Sequence, residues 1–351
     1  MMQINLPKIR NFIIRERLYV WLLIFVISIN IALALTGEEK AAPSFKKFSN
    51  KVFKENLTRE DLSRLVRENK KIGAAICFLS FVILFAIAAG LFLDVIVFIL
   101  KREGAVLVFP TLLHKEPRWG IWDACKVVIL FVWFSYMLTL IESAISEIFP
   151  IIKTNDNMRS VLNATITDIL VFAFIIYFAV YEYREKAVSL GLSVKNFLAN
   201  VFYGIMGYLA VIPPLLLILI FLIWVSNVFK YTPPMQPVLE IFLEEKKGAL
   251  IMYLTIFVTV FGPIVEEIFF RGFMYTAVKK RVGFKAAIFS TSALFALLHT
   301  NLAGFLPIMV LGMLLAYLFE KTGTLVASCT VHILHNAAMV MFVFLMKGIV
   351  R

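Results

Sequence analysis

The chain has little of what a soluble enzyme uses. Of its 351 residues, 17% are charged, three are cysteine and four are histidine. Cys77, Cys125 and Cys329 are scattered and form no CxxC pair, which argues against a disulfide framework or a thiolate metal centre. They read as small buried hydrophobes. There is no glycine-rich phosphate loop, no serine-nucleophile elbow and no HExxH helix, so nucleotide, serine-hydrolase and zincin chemistries lack their usual signatures. No internal repeat or low-complexity tract is present. The net charge of +12 is not arranged as a basic surface interleaved with aromatics, so no nucleic-acid partner is expected.

What the chain does have is apolar length. It is 61% hydrophobic, and its apolar runs reach the roughly 20 residues that a helix needs to cross a bilayer. We expect an all-α, polytopic transmembrane helical bundle with about nine spanning helices. The expected spans are 18–35, 73–100, 122–149, 161–181, 197–229, 249–278, 284–299, 302–319 and 324–346. Pro213-Pro214 should kink or break the fifth. The first span is long for a signal-peptide core and reads as an uncleaved anchor, although Ala32-Leu33-Ala34 resembles a signal-peptidase site. In the polar stretch 37–72, Thr58 and Asp61 stand at capping-box-like spacing before an apolar stripe of Leu62, Leu65 and Val66. A surface amphipathic helix and an ordinary solvated loop are both compatible with it. Short loops rich in Lys and Arg alternate with poorer ones, which puts the N-terminus inside, and Lys279–Lys285 marks the same face.

The polar residues inside these runs are few and grouped. Glu266, Glu267 and Arg271 lie in one span, His299 at the end of the next, and His332 and Asn336 in the last. Ionisable groups at membrane depth are costly and usually mark function. Glu267 and Arg271, four apart, share a helical face and can pair. Glu266 points about 100° away and is left to exchange a proton. Pro263 cannot donate to the carbonyl of Thr259, which should open that turn. From the basic turn, Glu266 is roughly 20 Å of helix rise away and His299 roughly 21 Å. From Lys321, which returns to the same face, His332 and Asn336 are roughly 16 and 22 Å away. Four groups on three helices therefore meet at one depth. His335, three residues from His332, can also approach it. A carboxylate base, histidines and an amide donor suit activation of water against a carbonyl.

These residues carry a resemblance. Glu266, Glu267 and Arg271 match an EExxxR motif, Phe295 and His299 an FxxxH motif, and His332 and Asn336 an HxxxN motif, in that order. The sequence thus resembles the CPBP family of CAAX proteases and bacteriocin-processing proteins, also called the abortive-infection or Rce1-like family. The resemblance covers about 249–346 and suggests a protease domain at 197–351, with an unassigned transmembrane region at 1–196. It implies an intramembrane endopeptidase in which Glu266 activates water with help from His299. His332 and Asn336 would stabilise the oxyanion, Glu267 and Arg271 would support the first helix, and Phe295 would pack against the site. No cofactor is required on this reading, although zinc held by Glu266, His299 and His332 stays open. The implied partners are the bilayer and a protein or peptide substrate, lipidated or not. Compact loops suggest a prokaryotic cell membrane. A catalytically silent scaffold of the same family is the alternative. A proton-coupled transporter using Asp94, Glu142 and Asp168 is a weaker one, since those residues also suit helix–helix hydrogen bonding.

Overall fold

The computed structural model describes residues 6–36, 67, 70–104, 109, 116–148, 156–231, 237–299 and 302–350. The polar stretch around Thr58, Asp61, Leu62, Leu65 and Val66 lies outside them. Within the described residues the chain is helical: α1 (Leu6–Arg15), α2 (Arg17–Thr36), α3 (Lys70–Arg102), α4 (Ile121–Ile148), α5 (Asp156–Ile176), α6 (Phe197–Val228), α7 (Pro237–Glu244), α8 (Gly248–Ile256), α9 (Gly262–Glu267), α10 (Thr276–Leu298), α11 (Leu302–Thr322) and α12 (Leu325–Val350). Among the described residues, seven helical stretches are long and apolar enough to cross a membrane, with Arg17–Ala32 a shorter apolar helix. One of the seven, Gly248–Leu298, is 51 residues long. It contains Gly283 at φ 78° and ψ 174°, where a helix cannot continue. Divided there, it gives the two spans expected at 249–278 and 284–299. The protein is an all-α, polytopic helical bundle.

The chain forms two compact units, Met1–Ala41 with Trp119–Arg184, and Ala42–Arg118 with Glu185–Arg351. In the first, Lys126 is the hub. Its Nζ lies 3.1 Å from Glu16 Oε2 and 3.4 Å from Asp123 Oδ1, and it stands over the rings of Tyr19 and Phe178. Asp123 also accepts from the backbone N–H of Gly120 and from the Tyr183 hydroxyl, closing the start of α4. Further along, Glu142 of α4 accepts a hydrogen bond from Asn163 of α5 at 2.8 Å. That interhelical contact is a structural use for one of the carboxylates a transporter would need.

In the second unit, α6 runs through Pro213 and Pro214 without a break. Pro213 has no N–H for the carbonyl of Leu209. That freed carbonyl is met by Gly90 of α3, where an added Cβ would overlap it. The close approach lets a Cα–H face the orphaned oxygen, so the proline defect is covered from the neighbouring helix. Elsewhere α3 is almost wholly unburied within the protein, and Phe78, Phe81, Phe92 and Phe98 present a surface suited to lipid.

The helix that carries Glu266 is not uniformly wound. Between α8 and α9, residues Phe257–Phe261 form a π-helical turn, and Ile268–Tyr275 form another between α9 and α10. Pro263 does not break the helix; the π turn before it absorbs the disruption. Behind this helix lies a short 3₁₀ turn, Ala187–Leu190. Gly272 rests on it so closely that a Cβ would stand 2.6 Å from the Leu190 carbonyl oxygen. Gly191, at φ 79°, turns the chain so that its carbonyl accepts from Leu325 N–H at 3.0 Å. Because rigid backbone opposes it, Gly272→Ala is expected to destabilise the protein by about 1–3 kcal/mol. A thermal midpoint in detergent equal to that of wild type would refute this packing.

Candidate active site

The paired helices fix the depth of every candidate residue. Arg271 Nη2 donates to the Gly312 carbonyl of α11 at 3.3 Å, and the Tyr275 hydroxyl and Lys279 both reach Glu320, at 2.9 and 2.6 Å. α11 therefore lies alongside this helix, running the same way. α12 runs against it, since His332 meets Glu267 and, farther along α12, Asn336 meets Val258. Lys279 and Glu320 meet at one end, as expected for a shared basic face.

At the centre, Glu267 is fully buried. Its Oε1 accepts from Arg271 Nη1 at 2.6 Å and faces His332 Nδ1 at 2.9 Å. Arg271 is itself buried, its guanidinium carbon 4.5 Å from the centroid of Phe295. Phe295 touches Phe270, His299 and His332 edge-on, with centroids 4.9, 4.6 and 5.7 Å away. The sequence placed Phe295 beside the site, and the ring occupies the space between the three motifs.

Glu266 is different. Its side chain is 37% exposed, against 0% for Glu267. Its Oε2 lies 3.7 Å from His332 Nε2 and has no hydrogen-bond partner. His299 caps the C-terminus of α10, and its Nδ1 lies 2.8 Å from the Phe295 carbonyl. A carbonyl only accepts, so Nδ1 is the donor and Nε2 is left free to accept. The structure thus joins Glu266, Glu267, Arg271, Phe295, His299 and His332 through direct contacts.

Asn336 is joined by another route. Its Nδ2 donates to the Val258 carbonyl at 2.9 Å. The π turn explains why that carbonyl is open. Gly262 N–H reaches Phe257 O, skipping Val258, and the next candidate donor is Pro263, which has no N–H. The Val258 carbonyl is thus open, next to the Thr259 carbonyl to which Pro263 also cannot donate. His335 turns to Tyr208 of α6, with Nδ1 3.5 Å from the hydroxyl oxygen. Val258, Gly312 and Tyr208 were not signalled by any motif; only the Pro263 defect hinted at the first.

Among the described residues, no three His, Cys, Asp or Glu side chains converge as a metal site. Of the set suggested for zinc, Glu266, His299 and His332, the His332 ring has Nδ1 on Glu267 and turns Nε2 toward Glu266 Oε2 at 3.7 Å, the orientation in which a carboxylate holds one ring nitrogen and leaves the other for a ligand.

The stretch from the start of α8 to just past Asn336 contains all of this geometry, and residues 248–338 match the family model for type II CAAX prenyl endopeptidases, Rce1-like. This stretch is Rce1-like. The match spans the three motifs and no part of the first compact unit. Together with the apolar helices, it supports an integral, multi-pass membrane protein in which residues 248–338 are similar to CAAX prenyl endopeptidases. No curated protein and no solved structure matches the chain. The Rce1-like stretch is thus defined by its motif residues and their mutual contacts.

Proposed function

We propose that the protein is an intramembrane endopeptidase of the CAAX prenyl type that hydrolyses a peptide bond with water activated by Glu266. The observation that carries this reading is the unequal treatment of two adjacent carboxylates. Glu267 is locked between Arg271 and His332, whereas Glu266 is half-buried, 3.7 Å from the same histidine, with an Oε2 that makes no hydrogen bond. Paired carboxylates in contrasting environments are a usual source of a general base.

In the proposed reaction a water molecule sits between Glu266 and the free Nε2 of His299. As its oxygen attacks the scissile carbonyl carbon, its proton passes to Glu266. His332 has a carboxylate oxygen on each side, an arrangement suited to N–H donors on both ring nitrogens. Its Nε2–H then donates to the oxyanion, and Glu267 with Arg271 holds the ring in place. Asn336 donates one amide hydrogen to Val258 and keeps a second for the same oxyanion. When the tetrahedral intermediate collapses, the C–N bond breaks and Glu266 returns its proton to the leaving amine. This route requires no metal.

The test is cleavage of a quenched, prenylated CAAX-type peptide by the purified protein in detergent, with and without a chelator. Cleavage that resists chelation is the expected result. Loss on chelation with recovery on adding zinc would overturn the metal-free mechanism. Absence of cleavage under all conditions would remove the CAAX-type substrate.

A further inference from the structure

A second polar site lies at the opposite end of the catalytic helix. Within the second compact unit a cavity of about 140 Å³ is lined by Glu116, Tyr275, Lys279, Lys280, Phe319 and Glu320, among others. By the same measure one water needs about 10–15 Å³, so the cavity takes a group on the order of ten waters in size. It sits beside Gly283, at the basic turn that marks a membrane face.

Its charges are of both signs and are unequally satisfied. Glu320 is engaged twice, by Lys279 at 2.6 Å and by the Tyr275 hydroxyl at 2.9 Å. The Lys280 ammonium donates one hydrogen bond, to the Pro117 carbonyl at 2.9 Å, and has two further hydrogens. Lys279 is more than a third exposed, so its ammonium also keeps donors for a ligand. Glu116, at the rim, is exposed and has no hydrogen bond or ion pair among the described residues. Two ammonium groups therefore offer donors to an anion, while a separate free carboxylate waits for a cation. Phe319 gives the cavity an apolar wall. Val282 and Phe289, on either side of Gly283 in the chain, are exposed apolar side chains.

We propose that this cavity binds the headgroup of a zwitterionic phospholipid with a primary ammonium, of the phosphoethanolamine type. The phosphate is held by Lys279 and Lys280, and the ammonium donates to Glu116. A trimethylated ammonium has no N–H to donate, and a glycerol headgroup has no positive charge. The site therefore discriminates among lipids of similar bulk. Its ligand is distinct from the peptide cleaved at Glu266, and binding does not depend on catalysis.

The test uses the full chain in nanodiscs of phosphatidylcholine doped with phosphatidylethanolamine or phosphatidylglycerol. Retained lipid is read by native mass spectrometry and stability by the thermal midpoint. Preferential retention of phosphatidylethanolamine is expected, severalfold over either other lipid, with a higher midpoint. Glu116→Gln and Lys280→Gln should each abolish the preference while leaving the midpoint in pure phosphatidylcholine unchanged. Equal retention of the three lipids, or a preference that survives both substitutions, would overturn the proposal. Equal stabilisation by soluble phosphoethanolamine in detergent would also overturn it, by assigning the cavity to a soluble zwitterion.

Discussion

Glu266→Gln is expected to abolish peptide cleavage and leave the protein folded. The variant keeps the size of the side chain and removes its capacity to accept a proton. General-base catalysis contributes about 10²–10⁴ in rate, so the loss should be at least of that order. Stability should change little. The Glu266 side chain is 37% exposed, its Oε2 has no hydrogen-bond partner, and its nearest ionic neighbour, His332 Nε2, is 3.7 Å away. The informative measurement is turnover and thermal midpoint on the same preparation. A variant that cleaves at more than a tenth of the wild-type rate would show that the base lies elsewhere. One that fails to fold would show that Glu266, too, is structural.

Arg271→Met should have the largest effect on stability. Arg271 and Glu267 are buried, joined at 2.6 Å, and lie in a segment where water cannot replace the lost partner. Removing one member of a buried pair leaves an uncompensated charge and typically costs about 3–5 kcal/mol. The guanidinium also packs on Phe295 and donates to the Gly312 carbonyl, so the substitution loosens α11 and α10 together. The double variant Glu267→Leu/Arg271→Met should be more stable than Arg271→Met alone, because apolar groups then fill the space without a stranded charge. It should still be inactive, since His332 would lose the carboxylate that holds its ring. Additive destabilisation in the double variant would show that the two side chains do not act as a unit. Recovered activity would show that Glu267 does not position His332.

Much of this site was legible in the sequence because depth in a helical membrane protein is a linear count. Rise from the basic turn puts Glu266, His299, His332 and Asn336 at one level; contacts through Phe295, Glu267 and His332 draw the first three together, while Asn336 meets Val258, farther along the helix. The four-residue spacing of Glu267 and Arg271 was also sufficient, and their pair forms even though the winding changes at Ile268. What could not be read is where winding departs from the α form. Pro263 signalled a defect, but the opening of the Val258 carbonyl depended on the π turn before it. Asn336 therefore meets Val258, a residue without polar side-chain chemistry to draw attention to it. The orientation of His335 toward Tyr208 was equally hidden, because one turn of α12 offers both neighbours and only packing chooses. Nor did any motif in the first half of the chain suggest that α3 would pack on α6. That contact rests on Gly90 and the carbonyl freed by Pro213, a match that appears only once two helices are laid side by side.

The π turn at Phe257–Phe261 makes the number of residues in this helix as consequential as their identity. Each residue added to or taken from a helix rotates everything beyond it by about 100°. Deleting one residue while the turn keeps its π winding would swing Glu266 away from His332 and withdraw the Val258 carbonyl from Asn336. Single-residue insertions and deletions here should be excluded from working members of the lineage even where many side-chain exchanges are accepted. Descent would then preserve the spacing between Phe257 and Glu266 more strictly than the apolar residues that fill it.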